Sequence, residues 1–230
     1  MPWRLLTRAG HIVVFATETG AVPTCDQKLI DGVLFGQLGA EPEPIAFYRE
    51  MEQSKAFRAP IRWDAIDPAA YDGLLLPGGH AKGMRQYLGC AALQRTVAAF
   101  AATGKPIAAI CHGVLLLARS KEAATGLSVL HDRRVTCLPF YMERVAYFLT
   151  FWWLGGYYRT YELYVETEVR AALHDPAAQF ERGPITLTAR GTASDDAPAF
   201  VVRDGNLVTA RWPGDAYKFA REFMALLPQT

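Results

Sequence analysis

The stretch that most constrains this chain is Lys105-Pro106-Ile107-Ala108-Ala109-Ile110-Cys111-His112-Gly113-Val114-Leu115-Leu116-Leu117. Residues 107–110 are apolar without alternation, the pattern of a parallel strand covered on both faces. Gly104 and Pro106 punctuate its start. The run reads as a strand that stops at Cys111 and turns straight into a helix. That junction puts the Cys111 thiol at the carboxyl edge of a sheet and beside a helix amino terminus. Free N–H groups and the helix dipole there favour thiolate over thiol. A charged His112 would help the same ionisation, and Gly113, lacking a Cβ, lets the helix pack close behind a sharp turn. Ala-x-Cys-x-Gly then stands where the nucleophile elbow of hydrolases carries Gly-x-Ser-x-Gly. A buried cysteine that merely ends a core strand is the plain alternative.

The alternation extends along the chain. Residues 11–17 read as a first strand, followed by the loop 18–23. Thr24 can cap a helix reaching about Leu38, with Leu29, Ile30, Val33 and Leu34 as its apolar stripe. Residues 44–48 read as a second strand, and 51–68 as polar loop with at most short elements. Residues 71–76 form another buried strand ending in Pro77-Gly78-Gly79-His80. Residues 93–102 form a helix ahead of the central strand, and 200–210 a hairpin turning at Asp204-Gly205-Asn206. Strands alternating with helices predict an α/β fold, a doubly wound, mostly parallel sheet flanked by helices (flavodoxin-like). We expect one domain over residues 1–230. Ligands of such sheets bind at the carboxyl ends of the strands. The loop after Thr17, Gly78-Gly79-His80 and Cys111-His112 all fall on that edge, which favours the catalytic reading of Cys111.

Composition narrows the partners. The formal net charge of +1 and the pI of about 7.7 point to neither nucleic acid nor an anionic membrane. Cys25, Cys90, Cys111 and Cys137 lack metal-type spacing and are too sparse for a disulfide framework, so a reducing cytoplasm is expected. Residues 1–10 hold no long apolar run and do not read as a signal peptide. The histidines at 11, 80, 112, 131 and 174 show no ligand pairing, so no metal is expected. Gly78-Gly79-His80-Ala81-Lys82-Gly83 lacks the ending of a phosphate loop, and no Gly-x-Gly-x-x-Gly follows the first strand. The chemistry expected is therefore cofactor-independent. Within a helical region at about 141–174, residues 145–164 are crowded with aromatic rings but far too short in unbroken apolar length to span a bilayer. A helix apolar all round is expected to be buried, in the core, at a dimer interface, or as a wall over the active site.

Leu75-Leu76-Pro77-Gly78-Gly79-His80, followed by Ala109-Ile110-Cys111-His112-Gly113, resembles the ThiJ/PfpI superfamily, relatives of class I glutamine amidotransferase domains. Residues 204–213, leading into a final helix, look like it too. The likeness runs from about His11 to Leu227 and is strongest to the glyoxalase III and chaperone branch, which carries an acid about thirty residues after the Cys-His pair. It implies a triad of Cys111, His112 and Glu143, with Glu143 orienting the imidazole. A solvent-facing carboxylate at a helix start is the alternative for Glu143. The family also places a carboxylate from the first helix against the cysteine. Asp26 is the first choice and Glu18 the second, while Asp26 could equally serve only its own helix terminus. Gly79 is carried over as oxyanion donor, partnered by the His112 N–H. His80 follows on the same loop, to contact substrate or simply to sit at the surface. Where an amidotransferase would place a second catalytic histidine, this chain has Arg211-Trp212-Pro213-Gly214-Asp215, which argues against glutamine hydrolysis.

The function implied is conversion of a 2-oxoaldehyde to a 2-hydroxy acid through a Cys111 hemithioacetal. The same Cys-His-Glu set would serve an amide or peptide hydrolase or an isonitrile hydratase. A holdase chaperone or a redox sensor is the rival from another class. The expected partner is a small carbonyl or acyl substrate, and the resemblance suggests a homodimer.

Overall fold

The computed structural model describes residues 1–32 and 39–229, and the chain divides into two units at Ile66. In the first unit, α1 (Pro2–Arg8) starts on a proline, whose fixed φ and missing N–H suit a first helical turn. β1 (Ala16–Thr17) pairs in parallel with β2 (Ile61–Arg62). Between them lie α2 (Gln27–Asp31), α3 (Pro42–Gln53) and α4 (Lys55–Arg58), the last capped by the Ser54 hydroxyl, which accepts from the Phe57 N–H at 3.2 Å.

Three expectations change in this unit. The strand expected over 11–17 shrinks to two residues, and Ile12 stands 94% exposed. Its partner offers no longer ladder: Pro60 lacks a donor and a 3-10 turn begins at Trp63. The helix expected over 24–38 begins at Gln27 and ends before Gly32, with residues 33–38 outside the described residues. The strand expected over 44–48 lies inside α3. A short apolar run fits either structure. Pro42 in the first turn and Glu43 near the positive end of the dipole favour the helix.

The second unit is built on β4 (Ile107–Ile110), which pairs in parallel with β3 (Leu74–Leu76) on one side and β6 (Leu207–Ala210) on the other. β5 (Val201–Asp204) closes the edge antiparallel to β6, giving the order β3-β4-β6-β5. Successive strand residues face opposite sides, and all four residues of β6 are buried, so both faces of the sheet are covered. α5 (Met84–Gly89) and α6 (Ala91–Ala102) lead to α7 (Gly113–Arg119), which packs on β3 and β4. α8 (Phe140–Leu154), α9 (Val165–Ala171) and α10 (Pro176–Gln179) come next, and α11 (Ala216–Met224) lies along β4, β5 and β6. This is the mixed α/β, parallel-dominated architecture that the alternation predicts.

Beyond β6 the chain is pinned by a fully buried ion pair. Arg211 donates from Nε and Nη2 to Asp215 at 3.0 and 2.9 Å, and from Nη1 to the Pro184 carbonyl at 2.7 Å. Asp215 also accepts from the Phe200 N–H at 2.9 Å, so the charges are satisfied.

Within the single chain, α8 does not lie in the core, one of the three places expected for it. Its buried residues are Glu143 and Thr150, two turns apart on one face, while Phe148, Leu149, Phe151, Trp152 and Trp153 are exposed, Trp152 at 66%. The helix is inside out, because its inner face is committed to polar partners. Among the described residues, no helix is long and apolar enough to cross a membrane.

Candidate active site

The sharp turn at the end of β4 is a measurable distortion. Cys111 has φ of 59°, the one positive value among the described residues other than glycine. Holding a side chain in this left-handed region costs about 1–3 kcal/mol. Neighbouring groups hold it there. The Cys111 N–H donates to the Ala210 carbonyl of β6 at 2.9 Å, which extends the ladder one residue into the turn. Gly113 then starts α7 so close to β3 that a Cβ there would lie 2.4 Å from the Leu76 carbonyl oxygen. Gly78 closes the other side, where a Cβ would meet the Ile110 carbonyl oxygen at 2.6 Å and the His112 nitrogen at 2.9 Å. The loop after β3 and the elbow are thus fitted together through two missing side-chain atoms.

His112 is fully buried behind the thiol. Its Nδ1 lies 3.5 Å from the Cys111 Sγ, and its Nε2 lies 3.3 Å from the Thr160 hydroxyl and 3.7 Å from Glu143 Oε1. A proton on Nε2 satisfies that second side and leaves the Nδ1 lone pair facing the thiol. Glu143 is in turn held by its other oxygen, which accepts from the Val165 N–H at 2.8 Å. The arrangement is reciprocal. Glu143 of α8 binds the first amide of α9, and buried Glu166 of α9 accepts from the Phe140 N–H, the first amide of α8, at 3.0 Å. Each helix start supplies donors and a favourable dipole to the other's carboxylate.

Burial sets the protonation states. It pushes the Cys111 thiol up to about 12, with the His112 N–H pulling the other way and Glu143 and Asp215 adding to the rise. The His112 imidazole is held well below its ordinary value, first by burial and then by His80 and Arg119. Glu143 is raised to about 7 by burial, against the Val165 N–H and Arg159. The resting pair is therefore neutral thiol and neutral imidazole. The dipole argument for thiolate loses here, because α7 is a seven-residue helix and its field is outweighed by desolvation.

The remaining predicted residues are distributed as follows. His80 joins the cluster, its ring centroid 4.7 Å from that of His112 and 4.9 Å from that of Tyr158. Its donor atoms and those of Cys111 and His112 all lie within 4.8 Å of one another, a grouping that the 31-residue spacing hides. Gly79 sits next along the loop from Gly78, and a Cβ there would touch only the Met84 side chain, at 3.4 Å. Asp26 and Glu18 belong to the first unit. There the Asp26 carboxylate accepts from the Lys28 N–H at 3.0 Å and caps α2. Gly78, expected on the loop at the strand edge, lies against the elbow. Sequence reasoning missed Thr160 and Tyr158, and nothing marks either within an aromatic-rich run.

A sequence model described as ThiJ/PfpI family-like matches residues 1–184. Among curated proteins, an uncharacterized protein of Schizosaccharomyces pombe is 27% identical over 64% of this chain, which spans 55% of that relative. A protein termed a deglycase from Pyrococcus abyssi is 28% identical over 73% of this chain and 69% of its own. Among solved structures, glyoxalase III from Candida albicans shares the fold with a TM-score of 0.70, covering 100% of this chain and 86% of its own at 20% identity.

Proposed function

The chain belongs to the ThiJ/PfpI-like family, and we propose that within it this protein is a cofactor-independent cysteine enzyme of the glyoxalase III type. The observation that carries the reading is the imidazole of His112, held with Nδ1 at 3.5 Å from the strained Cys111 thiol and Nε2 toward Glu143 and Thr160. A neutral thiol beside a neutral imidazole suits general-base activation at the moment of attack. Sγ bonds to the aldehyde carbon of a 2-oxoaldehyde while its proton passes to Nδ1 and on to the former carbonyl oxygen. This gives a hemithioacetal. His112 next removes the proton from that carbon, and the electron pair shifts through an enediol to the neighbouring carbonyl. Reprotonation at the second carbon leaves a thioester of the 2-hydroxy acid. Water adds to the thioester, releasing the acid and restoring the thiol. Glu143, when ionised, stabilises the imidazolium formed in each half. The curated relative termed a deglycase and the structural neighbour named glyoxalase III support chemistry at a reactive carbonyl.

The test is lactate formation from methylglyoxal without glutathione. Wild type should turn over, Cys111→Ala should fall to background, and Glu143→Gln should lose at least about tenfold in kcat, since positioned acid–base groups contribute about 10²–10⁴-fold. No wild-type turnover would sink the small 2-oxoaldehyde reading.

A holdase activity is the second reading, favoured by the exposed apolar face of α8. It predicts that aggregation of an unfolded client is suppressed equally by wild type and Cys111→Ala, and less well by Trp152→Ser with Trp153→Ser. A homodimer buried through that face would remove this reading, and light scattering measures the mass.

A further inference from the structure

A second cluster of ligand-type side chains lies outside this site. His131, Asp132 and His174 have donor atoms that all fall within 4.8 Å of one another. The His174 Nδ1 is 3.6 Å from Asp132 Oδ1, and the two imidazoles stack with centroids 5.2 Å apart and 16° between planes. We propose that these three residues bind one divalent transition-metal ion of the zinc class.

His174 Nδ1 and Asp132 Oδ1, 3.6 Å apart, lie close enough to share one ion at bonds of about 2.1 Å. The two stacked rings hold their in-plane lone pairs in nearly parallel planes, so the His174 ring must turn for both imidazoles to meet the ion. Two imidazoles and one carboxylate are borderline ligands that select zinc, nickel or copper over magnesium and calcium, and a fourth position stays open to water. The His174 side chain is 74% exposed, so it rotates freely into the bonding rotamer and the ion enters without opening the core.

The backbone beneath is already fixed. The His131 carbonyl accepts both the His174 N–H at 2.8 Å and the Gln179 Nε2 at 2.9 Å. The same Gln179 amide reaches the Arg133 carbonyl at 3.2 Å, and its carbonyl oxygen accepts from the Asp175 N–H at 2.6 Å. Val135 and Phe180 continue the pairing as a parallel bridge. Two segments some forty residues apart in sequence thus present their ligands from one rigid platform, which lowers the ordering cost of binding. Neighbouring cations are turned elsewhere: Arg133 binds Asn206 Oδ1 at 2.8 Å and Arg134 binds Glu181 at 3.0 Å. An ion held here ties the turn after Leu130 to the α9–α10 junction and stabilises the folded chain by mass action.

The test is titration of the full chain with zinc chloride by calorimetry and thermal melting. Cys111→Ser serves as the background, so that the His80–Cys111–His112 cluster lacks its sulfur ligand. The expected result is one zinc per chain and a rise in melting temperature. In that background His174→Ala should abolish both, Asp132→Asn should weaken binding at least tenfold, and circular dichroism should stay unchanged. Absence of zinc uptake, or uptake unaltered in both variants, overturns the site.

Discussion

α7 and α8 are both rich in apolar residues, and they end in opposite environments. Every residue of α7 from Gly113 to Ala118 is buried, with Leu115, Leu116 and Leu117 at no more than 1% exposure. α8 turns Phe148, Leu149, Phe151, Trp152 and Trp153 outward and keeps Glu143 and Thr150 inside. Composition does not separate them; what precedes them does. α7 follows a buried strand through a turn that has no slack, so its position is dictated by the sheet. α8 is anchored at its start by reciprocal capping with α9, and Glu143 must face His112. Once that residue points inward, the helical period carries Phe148, Phe151 and Trp152 away from it. The pair shows that a polar commitment on one face can override the hydrophobic expectation for the whole helix.

The largest test of this contrast is Leu116→Ala, which removes a fully buried side chain and should cost about 2–5 kcal/mol. Urea unfolding measures it, and a loss below about 1 kcal/mol would mean that α7 is not the dictated helix. Next comes Glu143→Gln. Between its ordinary value of 4.5 and about 7, the folded chain keeps a proton that the unfolded chain has released. Wild-type stability therefore falls as pH rises through that window. The glutamine variant cannot titrate but still accepts from Val165, so its stability relative to wild type should rise by something of the order of 3 kcal/mol across the window. Unfolding at each end of the window checks this, and a difference independent of pH would make Glu143 an ordinary exposed acid.

A smaller effect separates two variants at the elbow. Cys111→Gly should be more stable than Cys111→Ala by about 1 kcal/mol, because only glycine occupies φ of 59° without steric cost. Equal stability would mean that the turn relaxes when the thiol is gone. Smallest of all, Trp152→Ser on the outer face of α8 should shift stability by no more than about 0.5 kcal/mol. Its effect should appear instead as weaker binding of a dye specific for apolar surface.

The parts of the molecule legible in the sequence are those governed by neighbours along the chain. The unbroken apolar run of β4, the turn at Cys111, the close fit at Gly113 and the hairpin at 204–206 follow from residues within a few positions of each other. Glu143 was reached through the family resemblance, since its partner His112 is 31 residues away in sequence and no local pattern links them. Thr160 was invisible for the same reason. The strand expected at 44–48 failed because four apolar residues carry no period that separates helix from strand. The thiolate expected from the helix dipole failed because desolvation depends on the whole surrounding core, which no stretch of sequence displays.

The fit between the elbow and the loop after β3 also has a genetic meaning. Every missense change at Gly113 or Gly78 adds at least a Cβ, and backbone already stands at 2.4 and 2.6 Å from where it would go. Neither position has a sterically neutral replacement, whereas the exposed Trp152 and Trp153 meet no such barrier. Inherited variation in this chain should thus be scarcest at two positions that carry no reacting group at all.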